Sequence, residues 1–544
     1  MKKNKLKRIC AVALTLALGM SVFAGCGNKD AAAEGQTLVF NLGEDPKTID
    51  PSLNESVGGS TIINNAFEGL LRLDENEKAV PGVAEKFEVS DDQLVYTFTL
   101  REDAKWSDGE PVTANDFKYS WLRALNPDTA STYAYQLFYL KNGEKYNQGE
   151  ATAEEVGIEV VDDRTLVVTL EAPTAYFPQL MAFPTYAPLR EDIVSANPDW
   201  ANNPETYVSN GPFKLVEWTM KDQLVFEKNE NYWNKDVVKL DSLVMKMVED
   251  ETTAYASLKA GDFDMVDKVP TNEIEAGQEE GLVTIYPNLG TYFVVLNVGK
   301  QGTMSEDAKK ALNNKNVRKA LNLAIDRKAL VENVTKGGQI PAYSFVPQGI
   351  YNEAGEDFAS KEYYDANVAN IEEAKKLLAE AGYPNGEGLP TLSYMFNTLD
   401  SHKSIAQVLQ QDWAQIGVNV ELSNQEWKVF QTTRNEGQYE IARHGWLADY
   451  QDPMSFLDMW ASNSGMNDAG FNNAEYDSLI AQAKVEEDAA KRWELMRAAE
   501  DILMEEMPVI PLYYYTSVKA SNSNVKDVYV SSLGHVNFIN AYLE

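Results

Sequence analysis

Arg443, Asp449 and Asp452 crowd around an apolar, aromatic-rich stretch, residues 439–453, that also holds His444, Gly445, Trp446 and Leu447. Two carboxylates beside an imidazole are the residue types of general acid–base catalysis, and exported acidic proteins include glycan hydrolases. The spacing argues against that chemistry, because carboxyls three positions apart on one loop are not set across a scissile bond. The chain has no G-x-S-x-G, H-E-x-x-H, P-loop or G-x-G-x-x-G, and His402, His444 and His535 lack metal-ligand spacing. No enzyme, metal site or cofactor is therefore expected; an exported hydrolase stays as the reading of another class. Two readings remain for charges between a strand and Pro453: they face water on a solvated loop, or they sit beside a concave site that wants charge.

That stretch reads as a short strand running into a polar loop, and the rest of the chain supplies its scaffold. Residues 37–42 predict a strand, and 60–70 an amphipathic helix capped by Ser60 or Thr61. Residues 94–100 alternate as a strand, Trp106-Ser107-Asp108-Gly109 turns, and Thr113 opens a helix. Strands at 158–161 and 165–170 flank the hairpin signal Asp162-Asp163-Arg164. Between these sets lies an aromatic stripe, Tyr133 to Tyr139, of the kind that usually packs in a core. Beyond a helix at 316–327, helices at 371–381, 404–416 and 484–506 alternate with strands at 392–397 and 418–423, which argues for α/β layers.

Several separated motifs resemble the extracytoplasmic oligopeptide-binding proteins of ABC importers, the peptide/nickel-type solute-binding family. They are the run Arg443 to Pro453, the Asp45-Pro46 turn with the Phe67-Glu68-Gly69-Leu70 helix end, Ser209 to Leu215, Asn231-Tyr232-Trp233, and Val317-Arg318-Lys319-Ala320-Leu321 with Ala324-Ile325-Asp326-Arg327. The resemblance covers essentially the whole mature chain. It implies an α/β, periplasmic-binding-protein-like two-lobed fold with an additional domain: domain I from 37–73, 207–297 and 512–544, domain II from 74–206, and domain III from 298–511.

It also implies roles. Asp449 would grip the ammonium group of a peptide, while the main chain of Gly445, Trp446 and Leu447 pairs with the peptide backbone, the glycine permitting close approach. Arg443, Arg434 and His402 would meet carboxylates of peptides of different lengths. The alternative for both arginines is pairing with Glu436, Glu440 or Asp449. Trp427 and Trp446 would be flat walls for ligand side chains, or core residues, and Tyr133 and Glu55 fall near ligand-facing positions. A carboxylate for one end of a peptide and a cation for the other recognise a peptide without reading its sequence. The same fold also hosts signalling-peptide receptors and binders of nickel chelates or haem, which stay as alternatives.

The basic residues from Lys2 to Arg8 and the apolar run from Ile9 to Phe23, too short to span a membrane, read as a secretory leader. Phe23-Ala24-Gly25-Cys26 resembles a lipobox, with Phe23 where Leu is favoured, and this implies a lipid on Cys26 and a tether over 26–36. The other reading is ordinary cleavage after Gly25. Residues 1–25 carry five basic and no acidic residues, so their removal takes the formal charge from −35 to −40 and leaves 519 of 544 residues. Such a field excludes nucleic acid and keeps the protein off anionic lipid, so attachment to the membrane depends on the anchor. With Cys10 removed and Cys26 lipidated no disulfide is possible, and size alone must stabilise two or three domains. A monomer anchored outside the cell membrane, with oligopeptides and permease subunits as partners, is the expectation.

Overall fold

Runs rich in Val, Leu, Phe and Tyr pair into one large mixed sheet flanked by smaller ones. The structure is a computed structural model that describes residues 35–544, apart from Glu44, Asn76, Gln301, Thr303 and Glu353. The leader and Cys26 lie outside the described residues. The strands used below are β1 (Thr37–Asn41), β2 (Leu71–Leu73), β3 (Ala79–Pro81), β4 (Ala84–Val89), β5 (Val95–Leu100), β6 (Ile158–Asp162), β7 (Thr165–Thr169), β8 (Phe213–Thr219), β9 (Gln223–Lys228), β10 (Ser242–Lys246), β11 (Met265–Val266), β12 (Val283–Leu296), β13 (Ile340–Pro341), β14 (Leu392–Asn397), β15 (Val420–Gln425), β16 (Ile441–Leu447) and β17 (Val509–Ser521). The helices are α1 (Val57–Ala66), α2 (Ala114–Leu125), α3 (Lys315–Leu323), α4 (Asp400–Ala414), α5 (Trp427–Asn435), α6 (Ala474–Val485) and α7 (Ala489–Glu506).

The large sheet runs β15-β14-β16-β12-β17-β11-β1-β10-β9-β8, with β13 added to β17. At one end β14 lies parallel to both β15 and β16, with α4 and α5 as the crossovers that parallel strands require. At the other, β1 is parallel to β10 and β11. The antiparallel pair β12 and β17, 14 and 13 residues long, joins the two ends. Only the second half of β12, Gly290 to Leu296, also pairs with β16. Between its halves the register with β17 shifts twice, at Pro287/Thr291 and Tyr292/Phe293, where a bulge bends and twists the strand.

The separate sheet β4-β5-β7-β6 falls within the stretch expected as domain II, β1 and β8 to β11 within domain I, and β14 to β16 within domain III. Leu38 and Phe40 of β1, Trp121 of α2, Leu321 of α3, Leu409 of α4 and Leu503 of α7 are buried in the main core.

Helix spans shift from expectation: α3 ends at Leu323 rather than at 327, α4 covers Asp400–Ala414 rather than 404–416, and two further shifts have a visible cause. α1 begins earlier, because Ser56 rather than Ser60 caps it, its hydroxyl accepting the Gly59 N–H at 3.1 Å. It stops at Ala66, where Phe67 turns extended and leads into Gly69; a Cβ there would lie 2.0 Å from the Met181 carbonyl oxygen. The expected helix over 484–506 starts later, at Ala489, residues 484 and 485 being the end of α6, and Asp488 caps it by accepting the Lys491 N–H at 3.0 Å.

Candidate functional site

β16 has β12 along one edge and β14 along only the start of the other. β14 pairs with Ile441 and Ala442, and no described strand pairs with β16 beyond them on that side. The Ala448 N–H donates to the Leu289 carbonyl, so alternation along the antiparallel ladder turns the main-chain groups of His444 and Trp446 toward β12 and those of Arg443, Gly445 and Leu447 toward the open side. The structure therefore gives the Trp446 main chain to Thr291 rather than to a ligand. The Gly445 N–H already meets His444 Nδ1 at 2.8 Å. Gly445 also makes room for something other than a ligand chain: a Cβ there would lie 2.3 Å from the Tyr515 hydroxyl.

At the C-terminal end of β16, Asp449 is partly buried in the wall of a cavity of about 150 Å³ that it shares with Glu55, Tyr133, Trp446 and Leu447. Five residues expected at the site, from three distant parts of the chain, thus meet there. Asp449 Oδ2 accepts from the Tyr135 hydroxyl at 3.0 Å and from Gln136 Nε2 at 2.8 Å. Among the described residues no cation lies within 4 Å of it. Burial pushes its carboxyl up to about 7, against the pull of Tyr135, Gln136 and Tyr133. A buried carboxylate that holds only neutral donors stands ready for a positive group. Glu55, by contrast, is already paired with Lys47 and accepts from Thr132 Oγ1 at 3.2 Å.

Arg443, on β16 itself, forms a second pole. Its guanidinium lies 5.1 Å from the centre of the Tyr292 ring, its Nε is buried with no hydrogen-bond partner, and no described carboxylate lies within 4 Å. Tyr292 in turn stacks on Tyr513 at 4.9 Å and bonds His402 Nδ1 at 3.1 Å through its hydroxyl. Burial, with help from Arg443, lowers the His402 pKa to about 3, so this histidine is neutral at physiological pH and offers a hydrogen bond but no charge.

Arg434 is placed elsewhere. His444 stacks on Phe293 at 4.7 Å, on the face of β16 opposite Arg443, and its Nε2 lies 3.3 Å from Asp468 Oδ2. Arg434 Nε donates to the same oxygen at 2.7 Å, and Lys300 approaches the other oxygen, Oδ1, at 3.7 Å. Burial opposes the charge on Asp468, but His444, Arg434 and Lys300 hold it down at about 2. The partner of Arg434 is thus Asp468, an acid 34 positions away, not Glu436, Glu440 or Asp449. Trp427 is 45% exposed and stacks on Phe430, outside the cavity of Asp449. Asp452 is held by Arg492 at 2.7 and 2.8 Å. His444, lowered to about 4 by burial and then by Arg434, turns to Asp468, while Asp449 and Asp452 have other partners, so these three do not form the acid–base set weighed from the sequence.

The loop after β16 touches the 133–186 stretch at almost every residue. Tyr450 stacks on Tyr176 at 4.3 Å with an interplanar angle of 8°, and its hydroxyl lies 3.2 Å from that of Tyr139. The Gln451 N–H donates to Gln179 Oε1 at 3.1 Å, and Arg492, partner of Asp452, lies 5.3 Å from the Tyr176 ring centre. The sequence placed Tyr135, Gln136 and Tyr139 in a stripe of core residues and singled out Tyr133 alone. No local signal marks which members of an aromatic run turn toward a loop more than 300 positions away.

Comparison with known proteins places this geometry. The description "Bacterial extracellular solute-binding proteins, family 5 Middle" matches residues 78–468. The chain is 38% identical to the oligopeptide-binding protein OppA of Bacillus subtilis over 97% of each chain. It is 36% identical to the dipeptide-binding protein DppE of the same organism over 98% of each. The structure of Listeria monocytogenes OppA bound to peptide superposes with a TM-score of 0.82 at 31% identity, covering 94% of this chain and 99% of that one.

Proposed function

This chain belongs to the family 5 bacterial extracellular solute-binding proteins, and from that membership we propose that it captures oligopeptides between its lobes and hands them to an ABC importer. It is a binding protein and not an enzyme. The observation that carries the site is Asp449, a carboxylate with only neutral partners among the described residues, in the wall of a cavity just past the end of the strand that bears Arg443, a guanidinium with no described acid within 4 Å. The ammonium group of the peptide binds Asp449. Its carboxylate, or the carboxylate of a shorter peptide, binds Arg443. Between them the open edge of β16 at Gly445 and Leu447 takes the ligand main chain by strand addition. Affinity from termini and backbone leaves side chains unread.

The three-domain division at 73/74, 206/207, 297/298 and 511/512 makes domain II the lobe that supplies Tyr133, Tyr135 and Gln136, and domain III the lobe that supplies β16. The protein is exported, and a diacylglycerol on Cys26 tethers a monomer to the outer face of the cell membrane. No described helix is long and apolar enough to cross a membrane. Titration calorimetry with Ala-Ala-Ala and a random tripeptide pool tests the function: saturable binding of intact peptides is expected, and absent binding or cleaved products refute it. Cys26→Ser should move the protein from the membrane pellet to the medium.

A further inference from the structure

Behind the cavity of Asp449 lies a larger one, of about 760 Å³, that the peptide reading leaves without a role. The two share a wall made by Asn64, Leu73, Ala182, Phe183, Pro184 and His535. The larger space is within the range of small-ligand sites, and its lining is mixed rather than greasy. It has the carboxylate of Glu68, buried and accepting from the Tyr232 hydroxyl at 2.7 Å, the guanidinium of Arg72, whose Nε makes no hydrogen bond but pairs with Glu68 at 3.9 Å, and the side chains of Asp74, Asn537 and Asn540. Aromatic faces stand beside these groups at Phe67 and Phe183. Closely spaced amide, carboxylate and guanidinium groups with an aromatic face suit a polyhydroxylated group, which needs donors and acceptors together and presents apolar C–H patches.

His535 is one of the residues that line both cavities. Among the described residues no hydrogen bond fixes its imidazole, whose pKa burial lowers against the pull of Glu77, so a change of rotamer there breaks no hydrogen bond. If a peptide ammonium binds Asp449, the side chain of the first residue starts in the small cavity, between Phe183 and Trp446 and within reach of Glu55.

We propose that the two cavities act as one compartment, so that the protein takes peptides whose first residue carries a long side chain ending in a bulky hydroxyl-rich group, with the stem in the small cavity and the hydroxyls in the large one. The proposal rests on the peptide reading and deepens it. A lysine bearing a sugar-derived substituent on Nε has this shape: its stem is apolar, its secondary ammonium takes the place of the exposed Lys47 at Glu55, and its hydroxyls meet the far chamber.

The test is calorimetry on the full mature chain with three peptides: Ala-Ala-Ala, Lys-Ala-Ala, and Lys-Ala-Ala carrying a fructosyl group on the lysine Nε. The sugar-bearing peptide is expected to bind within about threefold of Lys-Ala-Ala, since a group placed in a preformed polar chamber exchanges water contacts for protein contacts. Asn540→Trp and Glu75→Trp, exposed positions that line only the large cavity, should weaken the sugar-bearing peptide at least about tenfold, or 1.4 kcal/mol, and leave Ala-Ala-Ala unchanged. Either variant suffices if the other fails to give a native melting curve. The proposal falls if the sugar-bearing peptide binds the unsubstituted protein at least about tenfold more weakly than Lys-Ala-Ala, or if the variants affect all peptides alike or none. Failure of Ala-Ala-Ala to bind removes the peptide reading itself; binding of Ala-Ala-Ala with rejection of the sugar removes only the compartment.

Discussion

Gln136 Nε2 donates to Asp449 Oδ2 at 2.8 Å across 313 positions of sequence. The contact joins the segment after α2 to the loop after β16, so the acid proposed to bind the ligand is also one that docks the two parts of the molecule. A ligand ammonium adds a charge to a carboxylate that already accepts two neutral donors.

Asp449→Ala leaves that ammonium buried and unpaired, which costs about 2–5 kcal/mol of binding free energy. Calorimetry with Ala-Ala-Ala should therefore show a loss of at least about thirtyfold in affinity, since 1.4 kcal/mol is a factor of ten. A variant that binds normally assigns the ammonium to another acid, with Glu55 the first to test.

The pH profile should carry the same signature. Burial raises the Asp449 carboxyl from its ordinary 3.8 to about 7 in the empty protein, whereas a bound ammonium favours the ionised form. Below pH 7 binding must expel a proton, so affinity should fall by up to about tenfold per pH unit down from 7, and it should fall again above about pH 8, where the peptide ammonium itself loses its proton. His402, held near 3, adds no step in this range. Stability of the empty protein runs the other way. A carboxyl raised above its unfolded value stabilises the fold below pH 3.8 and loses that contribution as the pH climbs through about 7. Asp449→Asn should then melt higher than the unsubstituted protein at pH 8, and the difference should shrink at pH 5.

Arg443→Gln tests the other pole. Peptides with a free carboxylate should lose about 2–5 kcal/mol, while the same peptides as C-terminal amides, already deprived of that charge, should bind both proteins alike. Equal losses for acid and amide would mean that Arg443 supports Tyr292 and Tyr513 rather than a ligand.

Asp468→Asn addresses the opposite face of the strand. It leaves Arg434 buried without its partner, and removing one member of a buried pair destabilises by about 3–5 kcal/mol. The melting temperature should drop while tripeptide affinity per folded molecule, measured well below the new midpoint, holds. If affinity falls with the melting temperature held constant, Arg434 belongs to the ligand site.

Much of this was legible in the sequence where chemistry is local. Hydrophobic period and turn residues gave the strands at 94–100, 158–161 and 392–397 close to their observed limits. The strand-to-loop transition at 439–453 marked the acid and the arginine. Contacts made by folding alone stayed hidden. Nothing near Arg434 announces Asp468, and nothing near Asp449 announces Tyr135 and Gln136, because each pair is set by the sheet order and not by neighbours in the chain. Gly445 shows the limit well. Its type was read as clearance for a peptide backbone, and the clearance is real, but the space belongs to the Tyr515 hydroxyl.

The four positions from Asp449 to Asp452 each engage, directly or through Arg492, a side chain between Tyr135 and Gln179. If a peptide ammonium binds Asp449 as proposed, it adds a further tie to an acid that already joins the two halves, so cargo would favour the aligned arrangement. On that reading a membrane partner that feels only the outer contour would sense whether cargo is aboard without touching it.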